Sequence, residues 1–351
     1  MKVAVTGGAG YVGACVVEEL LDAGHEVRVL DALLHGQHDV REALERLGAE
    51  VVVGDIRDAR ARDLAFDGVD AVVHLAAIVG DPACAKDPAR SQEVNVEGSG
   101  AVVETAARAG ASRLVFASTC SNYGRMADPA VPIDESAELA PVSLYAEQKV
   151  GIERRLLEGD TGDLRPTCLR FATVYGAAPR MRFDLTVNEF TRDLWAGRDL
   201  AVFGELFWRP YVHARDAALG VRMVLEAPQD DVGDEVFNVG HSAENYRKLD
   251  LVEMITRTLG RGEVSYVHRE EDPRDYKVSF EKVREVLGYE PRWKVPSGVE
   301  EIVEALEAER FGDPFDSRFS NLTSAPGPKG SLPAALSSCG MIRSESARAC
   351  S

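Results

Sequence analysis

The sequence predicts an α/β protein with a doubly wound parallel sheet and a smaller mixed α/β domain appended to it. Three observations carry this. Short apolar runs alternate with amphipathic helical stretches through the first half of the chain, the pattern of a parallel sheet covered on both faces. The first run, Val3-Ala4-Val5, leads straight into glycines spaced G-x-x-G-x-x-G at Gly7, Gly10 and Gly13. The second run, Glu26 to Leu30, closes on an acid, Asp31.

Between those runs lies a helical pattern, Val12, Val16, Val17, Leu20 and Leu21, stopped by Gly24. The unit is therefore strand, glycine turn, helix, strand, acid. Glycine lets the backbone turn tightly and approach a pyrophosphate. A helix beginning near Gly10 aims its free N–H groups and positive dipole end at that phosphate. A carboxylate at Asp31 accepts from both hydroxyls of an adenosine ribose and repels a 2′-phosphate. The reading is a Rossmann-type site that takes NAD in preference to NADP.

Composition excludes several other classes. The chain has 351 residues, 45% of them hydrophobic, enough for a large core. Its formal charge of −18 gives a surface that repels nucleic acid and anionic membranes. No apolar run approaches a membrane span, and the start MKVAVTGG reads as a strand rather than a leader. Cys15, Cys84, Cys120, Cys168, Cys339 and Cys350 form no C-x-x-C pair, which fits a reduced cytoplasm with no metal site.

The elements follow in order. Asp39 to Leu47 is helical and Glu50 to Val53 a third strand. Asp55, just past that strand, is placed to accept from an adenine amino group, with Ile56 against the ring. Asp70 to Leu75 is a fourth strand, and Ala76-Ala77 after it are small enough for a cofactor to lie close. Gly80-Asp81-Pro82 is a turn, and Pro88 to Ala109 reads as one long helix containing Asn95. A fifth strand, Ser112 to Ala117, runs into Ser118-Thr119-Cys120-Ser121. A helix from Ser143 to Leu157 carries Tyr145 and Lys149, and Pro166 to Phe171 is a further strand.

Residues 1–172 are thus the NAD-binding domain. Residues 173–312 are mainly a substrate-binding domain, some of whose segments return to the first sheet. It holds helices at Phe183 to Gly197, Leu249 to Leu259, Phe280 to Leu287 and Gly298 to Arg310, with strands at Leu200 to Phe203 and Glu235 to Val239. Tyr211 to Glu226 is a strand passing into a helix, and Arg269 to Arg274 a charged loop. Residues 313–351 are a disordered tail.

Tyr145 and Lys149 at i and i+4 project from one helix face. An ammonium beside a phenol favours the phenolate, so Tyr145 is a candidate proton acceptor. Together with T-G-G-A-G-Y-V-G at the first strand and S-T-C-S-N-Y-G at the fifth, the Y-A-E-Q-K segment resembles the extended short-chain dehydrogenase/reductase family, in particular its NAD-dependent nucleotide-sugar epimerases and dehydratases. The resemblance spans roughly Met1 to Arg310. It implies that Tyr145 is the base, Lys149 its partner and a ligand of the nicotinamide ribose, and Thr119 the hydroxyl that meets the reacting sugar oxygen. It places Gly7, Gly10, Tyr11, Val12, Gly13, Asp31, Asp55, Ile56, Leu75, Ala76, Ala77 and Asn95 at the cofactor.

For the sugar-nucleotide diphosphate, the resemblance implies Arg209, in Arg209-Pro210-Tyr211-Val212-His213, and Arg274. Thr173, Asn188, Arg180 and Arg182 fall among the substrate-binding positions. The chain departs from the family's dehydratases after Thr119, where Cys120 and Ser121 replace the Asp and Glu that eliminate water. The expected activity is epimerisation of a nucleoside-diphosphate sugar, most simply at C4 through a transient 4-keto sugar. The alternatives are a dehydratase using Cys120, a 4-keto-sugar reductase or dehydrogenase, and an inactive NAD-sensing protein. The helices Pro88 to Ala109 and Ser143 to Leu157 resemble those that form a homodimer interface in the family.

Overall fold

The structure is a computed structural model, and it describes residues 1–125, 128, 131–268 and 274–322. Twelve strands are present among them: β1 Lys2–Thr6, β2 Glu26–Asp31, β3 Glu50–Val53, β4 Ala71–His74, β5 Arg113–Thr119, β6 Arg165–Phe171, β7 Thr173–Tyr175, β8 Leu200–Phe203, β9 Trp208–His213, β10 Glu235–Val239, β11 Asn245–Arg247 and β12 Val264–Val267. Seven form the central sheet in the order β10-β6-β5-β4-β1-β2-β3, with every pairing parallel. Its last strand, β10, comes from the second half of the chain and pairs with β6 from Glu235↔Thr167 to Val239↔Phe171.

Strand periodicity divides the core in two. Val3, Val5 and Val73 point to one face, which is covered by the helices Tyr11–Asp22 and Ala214–Glu226. Ala4, Val72, Leu114 and Phe116 point to the other, under the helices Ala59–Phe66, Ser99–Arg108 and Leu144–Glu158. Alternate side chains of an extended strand leave on opposite faces, so a sheet buried on both faces needs near-continuous apolar runs. The strand order reverses between β1 and β4, which opens a crevice at their carboxyl ends.

The sequence reading fails at three places. The stretch expected as one helix over Pro88 to Ala109 is α-helical at Pro88–Ser91 and Ser99–Arg108, with a π-helical segment at Gln92–Gly98 between them. Gly80-Asp81-Pro82, expected as a turn, opens a short helix, Asp81–Lys86. Residues 313–322, expected as part of a disordered tail, are folded, and the rest of that expected tail lies outside the described residues. Phe319 is buried edge-on to Phe183, ring centroids 5.7 Å apart, and the Phe183 N–H donates to the Phe319 carbonyl at 2.9 Å. Two phenylalanines, Phe315 and Phe319, anchor a stretch whose average composition is polar.

His74, at the end of β4, is fully enclosed. Its ring nitrogens pair with Thr6 Oγ1 at 2.7 Å and Ser99 Oγ at 2.8 Å. Burial pushes its imidazole down to about 3, with the Lys149 charge adding to the effect. The unfolded ring takes a proton near its ordinary value of 6.5 and the folded ring does not. Stability therefore falls as pH drops below 6.5, by about 1.4 kcal/mol per pH unit from this group. In thermal melts from pH 7 to pH 4.5, His74→Gln should flatten the acid decline.

Candidate active site

The crevice beside β1 is the mouth of the main cleft. Gly7 sits at φ +72°, and a Cβ there would lie 2.8 Å from the Ala76 nitrogen. A Cβ on Gly13 would lie 2.0 Å from the Gly7 carbonyl oxygen. Any larger residue would push the turn away from β4 or from the helix that follows. Gly10 caps that helix with no side-chain hydrogen bond. The first-turn N–H groups of Tyr11 and Val12 are left at the wall of the cleft, which both residues line.

Asp31 is fixed from both sides. Its Oδ2 accepts from the Ala9 N–H at 3.0 Å and its Oδ1 from the Leu33 N–H at 2.8 Å. Burial raises its pKa, and those two hydrogen bonds oppose the rise. Asp55 also lines the cleft, and its carboxylate is gripped by Arg57 Nη2 at 2.8 Å. Burial works against that charge, and Arg57 outweighs it to hold Asp55 below the usual range. Ile56, Leu75, Ala76 and Ala77 complete an apolar wall. A glycine cradle, an uncapped helix start and a fixed acid are the features an NAD pyrophosphate and adenosine ribose require, so this donor set fits the cofactor.

At the other end, β5 and the helix Leu144–Glu158 bring Thr119, Tyr145 and Lys149 to the same cleft. Ser143 caps that helix by accepting from the Ala146 N–H at 3.3 Å. Thr119 Oγ1 accepts from the Ser121 N–H at 3.1 Å, which orients its own O–H to donate elsewhere. Lys149 Nζ donates to the Ala117 carbonyl at 2.6 Å and lies 4.6 Å from the Phe116 ring centroid. Burial pushes Lys149 down to about 8.

Tyr145 corrects one expectation. Its ring centroid is 5.9 Å from Lys149 Nζ, and burial raises its pKa above the ordinary phenol range. Burial is the largest cause of that rise, and the charge that opposes it is Arg182 rather than Lys149.

Other expectations are redrawn by the side-chain directions. Cys120 is buried, donates to the Arg170 carbonyl at 3.2 Å and does not line the cleft. Burial raises its thiol, so it is neither a ready acid nor a ready base. Cys120→Ala should keep turnover within about twofold, where a dehydratase that relied on the thiol would lose nearly all of it. Asn95 lies behind the wall, with its amide accepting from Ile78 N–H at 2.7 Å and donating to Ile78 O at 3.0 Å. It positions the segment after β4 rather than touching the cleft.

Asn188 is fully buried and bonds Gly176 N, Tyr11 Oη and the Arg182 carbonyl, so it is a scaffold residue and not a substrate contact. Tyr11 itself donates to the Gly176 carbonyl at 2.7 Å, tying the glycine turn to the second half. Arg209 does not line the cleft: its guanidinium bonds the Trp208 carbonyl and lies 5.4 Å from the Tyr276 ring centroid. Arg274, Thr173, Arg180 and Arg182 do line it. Arg274 is ion-paired to Asp81 at 2.7 Å, and Asp81 also accepts from the Ser143 hydroxyl. Glu271, Asp272 and Pro273, expected beside Arg274, lie outside the described residues.

Sequence reasoning did not select His35, Gln37, Tyr276 or Asn321, all of which line the cleft. No motif marks them, because each is delivered by tertiary packing. No group of three or more His, Cys, Asp or Glu among the described residues could hold a metal ion. No helix among them is long and apolar enough to cross a membrane.

Residues 3–240 match the family described as NAD dependent epimerase/dehydratase. The chain belongs to the NAD dependent epimerase/dehydratase family. Among curated members, the UDP-glucose 4-epimerase of Mycolicibacterium smegmatis is 31% identical over 317 residues, covering 87% of this chain and 98% of that one. The UDP-glucose 4-epimerase of Thermus thermophilus, solved in complex with NAD, is 27% identical with a TM-score of 0.77, covering 88% and 99%. The dTDP-glucose 4,6-dehydratase of Streptomyces venezuelae is equally identical at 27%, with a TM-score of 0.79, covering 90% and 99%. This epimerase/dehydratase chain is an NAD-dependent enzyme, and overall similarity does not separate the two chemistries.

Proposed function

We propose that this protein is a UDP-sugar 4-epimerase that keeps NAD bound through the reaction. The observation that carries the reading is the wall beside Thr119. Tyr145, Lys149 and Thr119 share the cleft, while the next two residues are a thiol buried elsewhere and an alcohol, Ser121. Proton abstraction from a sugar hydroxyl has its groups, and the two residues after Thr119 offer no carboxylate for elimination of water from the neighbouring carbon.

NAD, when bound, supplies the acceptor and then the donor of the C4 hydride, and its positive nicotinamide favours a negative charge nearby. Tyr145 Oη takes the C4 hydroxyl proton and returns it after the sugar turns over. Thr119 donates to the same sugar oxygen and holds it at the reacting position. Lys149, fixed on the Ala117 carbonyl, holds its charge beside the ring of Tyr145. Arg274 is placed to donate to the diphosphate as a planar fork.

Incubation with UDP-glucose and no added cofactor should yield UDP-galactose at equilibrium. A protein that retains NAD and converts none of the UDP-, dTDP-, CDP- or GDP-hexoses or uronates would overturn the reading.

Buried free thiols at Cys15, Cys84, Cys120 and Cys168 are consistent with a cytoplasmic protein. We read the assembly as a homodimer through the helices Ser99–Arg108 and Leu144–Glu158. Their exposed faces carry Glu104, Arg108, Glu147, Arg154 and Arg155. A pairing so charged should weaken with salt, and sedimentation at about 0.05 M and about 0.5 M NaCl, on either side of the range where screening sets in, tests this.

A further inference from the structure

Three side-chain atoms along the cleft are buried without a hydrogen-bond partner: His35 Nδ1, Arg180 Nε and Asn321 Oδ1. They come from three distant parts of the chain. A buried polar group left unmatched costs free energy, and three of them on residues that line one cleft point to a ligand that matches them.

Their neighbours say which end of the cleft this is. Arg180 and Arg182 both act electrostatically on His35, and Arg180 also on Asp31, the acid that receives the adenosine ribose. Arg182 has its charge met by Asp184, with two hydrogen bonds of 2.9 Å. Arg180, only 6% exposed, makes no ion pair among the described residues. Its one hydrogen bond runs from Nη2 to the Arg318 carbonyl at 3.4 Å.

The segment that holds this corner together is the last of the described residues. Asn321 N–H donates to Asp184 Oδ2 at 2.9 Å. Lys86 Nζ donates to the Leu322 carbonyl at 3.2 Å, and Phe319 is packed against Phe183.

We propose that Arg180, Asn321 and His35 form a clasp on the ADP-ribose half of bound NAD, so that residues 313–322 are part of the cofactor site. The inference rests on the NAD-binding reading and moves Arg180 from the sugar nucleotide to the dinucleotide. The guanidinium matches a phosphate charge. The Asn321 carbonyl oxygen accepts from a ribose hydroxyl or the adenine amino group. His35, largely neutral, exchanges a hydrogen bond with a ribose hydroxyl. The α/β half alone would then hold NAD loosely, and the C-terminal segment would set its residence time.

The test uses the full-length protein as purified. Release of bound NAD is followed by chasing with excess ADP-ribose, and UDP binding is measured separately by calorimetry. Arg180→Gln and Asn321→Asp should each speed NAD release by about tenfold or more and leave the UDP Kd within twofold. Asn321→Asp adds a negative charge to the corner where Arg180 would hold a phosphate, and guards against a variant of Arg180 that misfolds. Unchanged NAD release with weakened UDP binding by Arg180→Gln would return Arg180 to the substrate and overturn the clasp. Unchanged NAD release in Asn321→Asp would overturn the role of the segment. Wild-type protein that neither carries nor binds NAD would overturn the cofactor reading itself, and that result is distinct from either of the others.

Discussion

Tyr145→Phe lowers kcat by about three orders of magnitude, while NAD content and UDP affinity stay at wild-type values; loss of a positioned general base has this size. The hydroxyl is the only part of the side chain removed, and the ring keeps its place beside Lys149, whose Nζ lies 5.9 Å from the ring centroid. The expectation follows from the burial that raises the Tyr145 phenol. A phenol held neutral in the protein alone becomes a base only when the site gains positive charge, so turnover should depend on the cofactor being oxidised and in place. Rates of the Tyr145→Phe protein, measured at saturating nucleotide sugar, check this. A residual rate within tenfold of wild type would mean that another group takes the proton.

Lys149→Met should abolish most activity and also stabilise the folded chain. The folded ammonium loses its proton at about 8, against an ordinary value of 10.5. Below pH 8 both folded and unfolded chains are protonated at this lysine, and the folded state carries the full burial cost, about 3 kcal/mol. The cost shrinks as pH rises from 8 to 10.5 and is gone above that. Methionine fills a similar volume but gives up the hydrogen bond to Ala117 O, worth about 1 kcal/mol. In urea unfolding of NAD-free protein at pH 7, the variant should gain about 2 kcal/mol, and the gain should vanish before pH 10.5 and turn into a loss of about 1 kcal/mol above it. The same measurement separates a lysine kept for chemistry from one kept for structure, because a structural lysine would destabilise on removal.

The parts of the site that lie close together in sequence were legible in it. Gly7, Gly10, Gly13 and Asp31 belong to one strand–helix–strand unit, and Tyr145 and Lys149 to one helix, so spacing alone places them. The alternation of apolar runs marks the doubly wound sheet for the same reason. What spacing cannot give is side-chain direction and burial. Asn188 and Arg209 carry the right chemistry in the right segments, yet tertiary contacts turn Asn188 to Gly176 and Tyr11, and Arg209 to Trp208 and Tyr276. Asn95 acts one layer out, through Ile78. The lowered phenol expected from Lys149 is not found because burial, a property of the whole fold, raises it, and Lys149 is not among the charges that act on it. Asn321 had no signal at all. It reaches the cleft because Phe319 pins the segment beside it.

The central claim is that hydride leaves the sugar and returns to it inside one closed site. The most direct measurement is NMR of the purified protein with UDP-glucose in D₂O and no added cofactor. The account predicts conversion to the C4 stereoisomer with no deuterium in any C–H position of the sugar. Loss of water, or deuterium entering next to a keto carbon, would contradict it and point to elimination or enolisation instead.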